Sequence, residues 1–270
     1  MADMTKPDTA KPETAKAGPA KAGVVLITGG SRGIGAACAR LAAAEGHDVA
    51  INYRSGTEDA LELQASITAA TGRRVITVAG DMAQEKDIVH LFEVVKRELG
   101  PVTHLVNNAG ITGRSGRLDS TDAAVISDCI ALNVTGAMLV AREAVRMMST
   151  RHGGAGGSIV NISSVAARIG SPGEYVWYAA SKGAIDAFTL GLAKEVAMEG
   201  IRVNAVSPGM VMTDIHARST GDVGRIERIR PNIPMQRIGL PDEIARTVLF
   251  LLSEVSSYTT GAIVDVSGGR

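Results

Sequence analysis

Residues Val24 to Gly35 read V-V-L-I-T-G-G-S-R-G-I-G, an apolar β-branched run that passes through clustered glycines straight into a segment of helical periodicity. Few chain conformations suit such a turn. Glycines let the backbone reverse tightly and approach another group closely, and the N–H groups at the start of the following helix attract negative charge. Thr28, Gly29, Ser31, Arg32, Gly33, Ile34 and Gly35 therefore form a candidate cradle for a pyrophosphate. The strand before it and the helix after it carry the reading, since a chain with 31 glycines contains clusters by chance.

The rest of the chain has the organisation such a turn needs. Short apolar runs occur at Val24 to Ile27, Asp48 to Asn52, Val75 to Ala79, His104 to Asn107, Ser158 to Ile162, Arg202 to Val206 and Ala262 to Val266. Continuous apolar character suits strands covered on both faces. Between them, Ala36 to Glu45, Thr57 to Thr71, Glu85 to Leu99, Ala123 to Met148, Ala179 to Glu199 and Pro241 to Leu252 carry helical periodicity. Right-handed crossovers between such strands predict an α/β fold, a Rossmann-like doubly wound domain on a seven-stranded parallel sheet. The segment from about 212 to 236 fits neither pattern and reads as a mobile loop with short helices at the ligand-binding end of the sheet, suited to closing over a substrate.

Composition narrows the functional classes. Lysine plus arginine number 28, equal to aspartate plus glutamate, so no net field draws the chain to nucleic acid or an anionic membrane. No apolar run in the sequence is expected to span a bilayer. Cys38 and Cys129 lie in helical patterns, read as small core residues, and suit a cytoplasmic, reducing setting. The first 22 residues repeat Lys-Pro, Ala-Lys and Thr-Ala with few large apolar groups, the composition of a disordered tail. Residues 23–270 are then expected to form one domain. No metal site is expected.

After the second strand, an acidic residue would accept hydrogen bonds from the ribose 2′-hydroxyl of NAD. The stretch here is Asn52, Tyr53, Arg54, Ser55, without a carboxylate. Arg54 and Arg32 can pair with a 2′-phosphate through their guanidinium forks, and Ser55 adds a hydroxyl donor. NADP(H) is favoured, with NAD(H) as the alternative.

T-G-G-S-R-G-I-G, N-N-A-G at Asn107 to Gly110 and Y-A-A-S-K at Tyr178 to Lys182 occur in the order seen in classical short-chain dehydrogenases/reductases. The chain resembles that family from about Gly23 to Arg270. Further matches are Asp81, Asn133 in L-N-V, Ser163 and Ser164 in N-I-S-S, and Ser207-Pro208-Gly209. The resemblance implies an oxidoreductase that moves hydride between a nicotinamide and a carbonyl or alcohol. Tyr178 and Lys182, four apart on one helix face, suit acid/base work independently, because an ammonium beside a phenol favours its ionisation. A tyrosinate is thereby expected to be accessible near neutral pH.

The family implies that Lys182 also holds the nicotinamide ribose and that Asn133 retains a water relaying protons towards it. Ser164 is expected to hydrogen-bond the substrate oxygen. It lies fourteen residues before Tyr178, longer than in many members, which leaves Ser163 as the alternative. By the same resemblance Asp81 and Met82 contact the adenine, and Asn108, Ala109 and Gly110 line the adenosine ribose. Pro208 and Gly209 belong to the cofactor wall, and Val211 with Thr213 binds the carboxamide. Tyr175 has no lysine four residues on; it and Trp177 are expected to shape the substrate wall or a subunit contact.

The motifs do not name the substrate. A 3-oxoacyl thioester reductase, acting on a free or carrier-bound substrate steered by Arg218, Arg225, Arg228 and Arg230, is the leading expectation, although Asp214, Asp222 and Glu227 dilute that patch. A sugar 1-dehydrogenase resembles the G-E-Y-V-W-Y-A-A-S-K-G-A run. A noncatalytic NADP(H)-binding sensor or scaffold is the reading from another class. Family habit and the alanine-rich Ala179 to Ala197 helix imply a homotetramer.

Overall fold

The computed structural model describes residues 23–213 and 225–270. The expected disordered tail and the central part of the 212–236 loop, with Asp214, Arg218 and Asp222, lie outside the described residues.

Seven parallel strands, β1 (Val24–Ile27), β2 (Asp48–Tyr53), β3 (Val75–Ala79), β4 (Val102–Asn107), β5 (Gly157–Ile162), β6 (Ile201–Pro208) and β7 (Ile263–Val266), form one sheet in the order β3-β2-β1-β4-β5-β6-β7. Every strand pairing is parallel. The helices include α1 (Gly33–Ala44), α2 (Thr57–Thr71), α3 (Glu85–Glu98), α4 (Ala123–Ile130), α5 (Ala137–Met148), α6 (Ala166–Ile169) and α7 (Val176–Val196). One apolar cluster joins Val25, Ile27, Ile51 and Val160 to α1 and the last helix, Pro241–Leu252; the other joins Leu26, Leu105 and Ile159 to α3, α5 and α7. Alternate residues of β1 thus enter opposite cores, which is why the strand reads as unbroken apolar sequence. Fully burying Leu26 or Ile27 contributes roughly 2–3 kcal/mol each.

The order in which strands are added reverses at β1, whose two neighbours are β2 and β4. A crevice opens there beyond the carboxyl ends of the strands, where doubly wound folds bind ligands. Asn108, just after β4, ties its two sides: its amide donates to the carbonyls of Thr28 and Gly29, both at 2.9 Å.

One stretch differs from the sequence reading. Ala123 to Met148 is not one uniform helix, because Ala131–Gly136 forms a π-helical turn between α4 and α5. This 26-residue stretch is also long and apolar enough to cross a membrane by length and composition, contrary to the reading that no such run exists. Here Val140, Ala144 and Met148 pack with Leu105 and Ile159 of the sheet. The described end of the 212–236 segment forms Arg225–Ile229 and Arg230–Asn232, two short helical pieces of the kind expected within that loop. Ile229 and Ile233 are buried against Met210 and anchor it.

Candidate active site

The glycine turn is built for backbone approach. Gly29 and Gly33 have φ of 59° and 53°, in the left-handed region that side chains disfavour. A Cβ on Gly35 would stand 2.6 Å from the Gly29 carbonyl oxygen and 2.8 Å from the Gly30 Cα, so α1 packs against the turn only with glycine there. Asn52 braces the loop from β2: its Oδ1 accepts from Gly29 N–H at 3.3 Å while its Nδ2 donates to the carbonyls of Val78 and Gly80. Thr28, fully buried, accepts at Oγ1 from the N–H groups of Asn108 and Ala109, both at 3.0 Å. Its hydroxyl is thereby occupied in holding the crevice together. A polyanion fits this cradle, whose lining is main chain and whose close approach a single Cβ would block.

Arg54, Ser55 and Asp81 lie at the ends of β2 and β3. Arg54 Nη1 stands 3.7 Å from Asp81 Oδ2 with most of its side chain exposed, an exposed pair worth little to stability and open to exchange for a phosphate. Asp81 is positioned by its neighbours: its N–H donates to Asp87 Oδ2 and its Oδ1 accepts from Ala83 N–H. Met82 is buried in the apolar core, so only its main chain remains for an adenine contact. Arg32, an exposed residue, flanks the turn.

A cavity of about 460 Å³ continues from the cradle. It is lined by Gly29, Arg32, Gly33 and Ile34 at one side, by Asn108, Ala109 and Gly110 from β4, and by Ser164, Tyr178 and Lys182 at its base. Pro208, Gly209, Val211 and Thr213, beyond β6, complete the wall. The sequence-predicted residues of the reacting end thus converge, while Ser31 lies within the turn and Gly35 behind it.

Tyr178 enters the cavity because α7 begins just before it. Ser171, at a φ of 46°, turns the chain so that its carbonyl accepts from the N–H groups of Glu174 and Tyr175. Ser164 shares the cavity wall with Tyr178, and its side chain favours the phenolate. Ser163 is otherwise engaged: its buried hydroxyl donates at 2.5 Å to Asp186 Oδ1. The geometry therefore selects Ser164 between the two serines as the partner of the tyrosine.

One expectation is corrected. Burial, the largest influence, raises the Tyr178 pKa above the usual phenol range rather than lowering it, and Tyr175 and Cys129 raise it further. Lys182 Nζ lies 5.6 Å from the Tyr178 ring centroid and donates at 2.7 Å to the Ile162 carbonyl. Its own pKa is lowered to about 8 by burial. In this arrangement the lysine is bound to β5 and does not offset the desolvation of the phenol.

Asn133 sits in the π-helical turn, where its side chain is bonded to the protein through both amide atoms. Its Oδ1 accepts from Ile111 N–H at 2.9 Å, and its Nδ2 donates to the Ile111 carbonyl at 2.8 Å and to Ser181 Oγ at 3.1 Å. Ser181 in turn donates to the Tyr178 carbonyl at 2.7 Å, so Asn133 is tied to the helix that bears the tyrosine.

The two aromatics before Tyr178 separate. Tyr175 lines the cavity and meets the Tyr178 ring edge-on, with centroids 5.5 Å apart. Trp177 is not on that wall; it is buried with Cys129, its indole N–H donating at 2.7 Å to the Thr112 carbonyl. Both cysteines are buried and free. Sequence reasoning did not single out Ser171, Glu174 and Arg270 as cavity residues, nor Asn52, Ser181 and Asp186 as braces. Asn52 at a strand end was open to notice; the others depend on contacts between distant segments.

A doubly wound sheet with a polyanion cradle at its switch point and a Ser–Tyr–Lys cluster in the adjoining cavity defines a nucleotide-binding oxidoreductase class. Comparisons agree. A family pattern described as enoyl-(acyl carrier protein) reductase matches residues 29–270. An uncharacterized oxidoreductase, YgfF, of Escherichia coli (strain K12) is 48% identical over 92% of this chain and 99% of its own. The 3-oxoacyl-[acyl-carrier-protein] reductase of Homo sapiens is 39% identical over 91% of this chain and 97% of its own. A short-chain dehydrogenase from Burkholderia cenocepacia J2315, solved in complex with NADP, superposes with a TM-score of 0.83 at 34% identity, covering 91% of this chain and 96% of that one. The chain belongs to the classical short-chain dehydrogenase/reductase family.

Proposed function

We propose that this protein is an NADP(H)-dependent oxidoreductase that reduces the 3-oxo group of an acyl thioester. The observation that carries the reading is the meeting of Ser164, Tyr178 and Lys182 in the one cavity that the glycine cradle also lines. NADP(H) is favoured because Arg54 and Arg32 flank the cradle where a carboxylate would select NAD, and the Burkholderia relative was solved with NADP. Bound there, the cofactor supplies the hydride. Ser164 holds the substrate oxygen, and Tyr178 donates the proton that converts the nascent alkoxide to an alcohol. Its raised pKa keeps the phenol protonated, as a proton donor must be. Lys182 orients the ribose and keeps positive charge near the tyrosine. Asn133, bonded to Ile111 and Ser181, braces the π-helical turn against the helix that carries Tyr178.

The substrate class rests on the cavity wall. Ile111, Val165, Ala166, Ile169, Tyr175 and Met210 line it, an apolar surface suited to an acyl chain. Ser171 and Glu174 at the same cavity favour a second reading, oxidation of a sugar hydroxyl. Carrier steering has a weaker basis, since Arg230 pairs with Glu227 at 2.9 Å. Exposed Ile130, Met138 and Leu190 on α4, α5 and α7 support assembly of subunits, for which a homotetramer is proposed. The free, buried cysteines suit the cytoplasm.

The test is NADPH oxidation with a short 3-oxoacyl thioester, run beside NADP-dependent oxidation of glucose. Turnover with the thioester supports the reading, and turnover with glucose alone replaces it. Saturable NADPH binding with no turnover of either, or of a broader carbonyl panel, points to a sensor.

A further inference from the structure

Asp186 lies four residues after Lys182 and eight after Tyr178 on α7, so all three share one face of the helix. Its carboxylate accepts a 2.5 Å hydrogen bond from Ser163, whose Oγ also stands 3.4 Å from the Lys182 carbonyl oxygen. Ser163 is 2% exposed and follows directly on β5. On one side of it Ile162 offers the carbonyl that takes the Lys182 ammonium; on the other, Ser164 lines the cavity with Tyr178. The Asp186–Ser163 bond therefore closes a ring of contacts between α7 and the end of β5.

We propose that Asp186 is a positioning residue, which clamps the Ser163–Ser164 main chain to the helix carrying Tyr178 and Lys182 and so sets the registry of the reacting groups. The inference rests on the reading of Ser164, Tyr178 and Lys182 as the reacting set. The physical case has two parts. A short hydrogen bond from a buried hydroxyl to a carboxylate is charge-assisted and directional. It also acts at the one residue whose chain neighbours bear the serine hydroxyl and the lysine-binding carbonyl, so any slip of Ser163 moves both. Small displacements of oriented groups are costly in rate.

Asp186 has an electrostatic part as well. Around it stand Ser163, Arg168, Lys182 and Asp265, with Arg168 ion-paired to Asp265. Burial raises its pKa, and Ser163, Arg168 and Lys182 oppose that rise. Lys182 is faced by Cys129 and Asp186, both of which favour its charged form against desolvation. Neutralising Asp186 removes one of these supports, so the lysine pKa should fall below its value of about 8.

The experiment compares Asp186→Asn, Asp186→Ala, Asp186→Glu, Ser163→Ala and the Ser163→Ala/Asp186→Ala double variant in the full chain. In steady state, Asp186→Ala and Ser163→Ala should each lower kcat on the order of tenfold or more, with KM for NADPH little changed. The double variant should lose no more than Asp186→Ala alone, because Ser163→Ala breaks a bond that Asp186→Ala has already broken. Asp186→Glu should recover part of the loss. In Asp186→Asn, which keeps an acceptor for Ser163, the alkaline limb of the pH profile should move to lower pH. A purely structural role would lower Tm while leaving that limb in place, and additive losses in the double variant would overturn the clamp. The lysine titration is also read without substrate, by NMR of ¹³C-labelled lysine with Lys182→Arg as the assignment control. A downward shift in Asp186→Asn supports the coupling even if the thioester is not turned over, and an unshifted Lys182 overturns it whatever the substrate.

Discussion

At single residues, two substitutions read out the cofactor site. Arg54 spends its charge on an exposed pair with Asp81, so little stability is lost when it is removed. Arg54→Ala should raise KM for NADPH about tenfold or more, as expected when a charged hydrogen bond to phosphate is lost, and change KM for NADH little. Equal changes for both cofactors would assign Arg54 no part in reading the 2′-phosphate. Gly35→Ala tests the cradle itself. Its new Cβ would meet the Gly29 carbonyl oxygen at 2.6 Å, with neither group free to yield. A stability loss of roughly 1–3 kcal/mol is expected from denaturant unfolding, together with weakened binding of either dinucleotide. An alanine variant of native stability and affinity would contradict the close packing of α1 on the turn. The glycines, Tyr178 and Lys182 were legible in the sequence because their spacing is local and the chemistry demands those residue types. Ser164 was favoured over Ser163 by its position after N-I-S, but what engages the first hydroxyl was not legible, since it is Asp186, twenty-three residues further along. The phenol pKa was misjudged for a related reason: spacing placed an ammonium nearby but could not show that it binds the Ile162 carbonyl, nor how fully the phenol is desolvated.

At the scale of elements, β1, β3, α2 and the last helix fall where hydrophobic period and turn residues placed them. The π-helical turn at Ala131–Gly136 left no such mark, because it is fixed by the bonds from Asn133 to Ile111 and Ser181 across space. Asn133→Ala should therefore lower kcat while also destabilising the fold, the latter by about 1–3 kcal/mol for the partners left unsatisfied, measured by urea unfolding. Strand β4 carries a second device unread in the sequence. His104 packs edge-on to His47 with ring centroids 5.0 Å apart, and its pKa is lowered from 6.5 to about 4 by burial, with His47 and Arg202 adding to the effect. Between those values the unfolded chain binds a proton that the folded chain excludes, so stability should fall as the pH drops from about 6.5 to 4. His47, whose pKa is also lowered, acts in the same direction. Thermal unfolding across this range checks the sign, and a His104→Asn variant should show a flatter dependence. A native Tm independent of pH there would show that the imidazole is not held neutral.

For the molecule as a whole, the repeated strand–helix pattern specified the sheet because both faces of every central strand must be covered, and right-handed crossovers leave few ways to do it. It did not specify which cavity walls are apolar, since Ile111, Val165 with Ile169, and Met210 come from three separate segments following β4, β5 and β6. The substrate therefore follows from assembled geometry rather than from a motif. What the fold accomplishes is to bring Ser164 from the end of β5 and Tyr178 with Lys182 from α7 to the crevice bordered by the glycine turn of β1. The most direct test of that claim is single-turnover oxidation of bound NADPH by a 3-oxoacyl thioester in the native protein and in Tyr178→Phe, at equal cofactor occupancy. Loss of the proton donor should slow the step by roughly 10²- to 10⁴-fold while NADPH affinity is retained. A phenylalanine variant that oxidises NADPH at the native rate would contradict the account and remove Tyr178 from the chemistry.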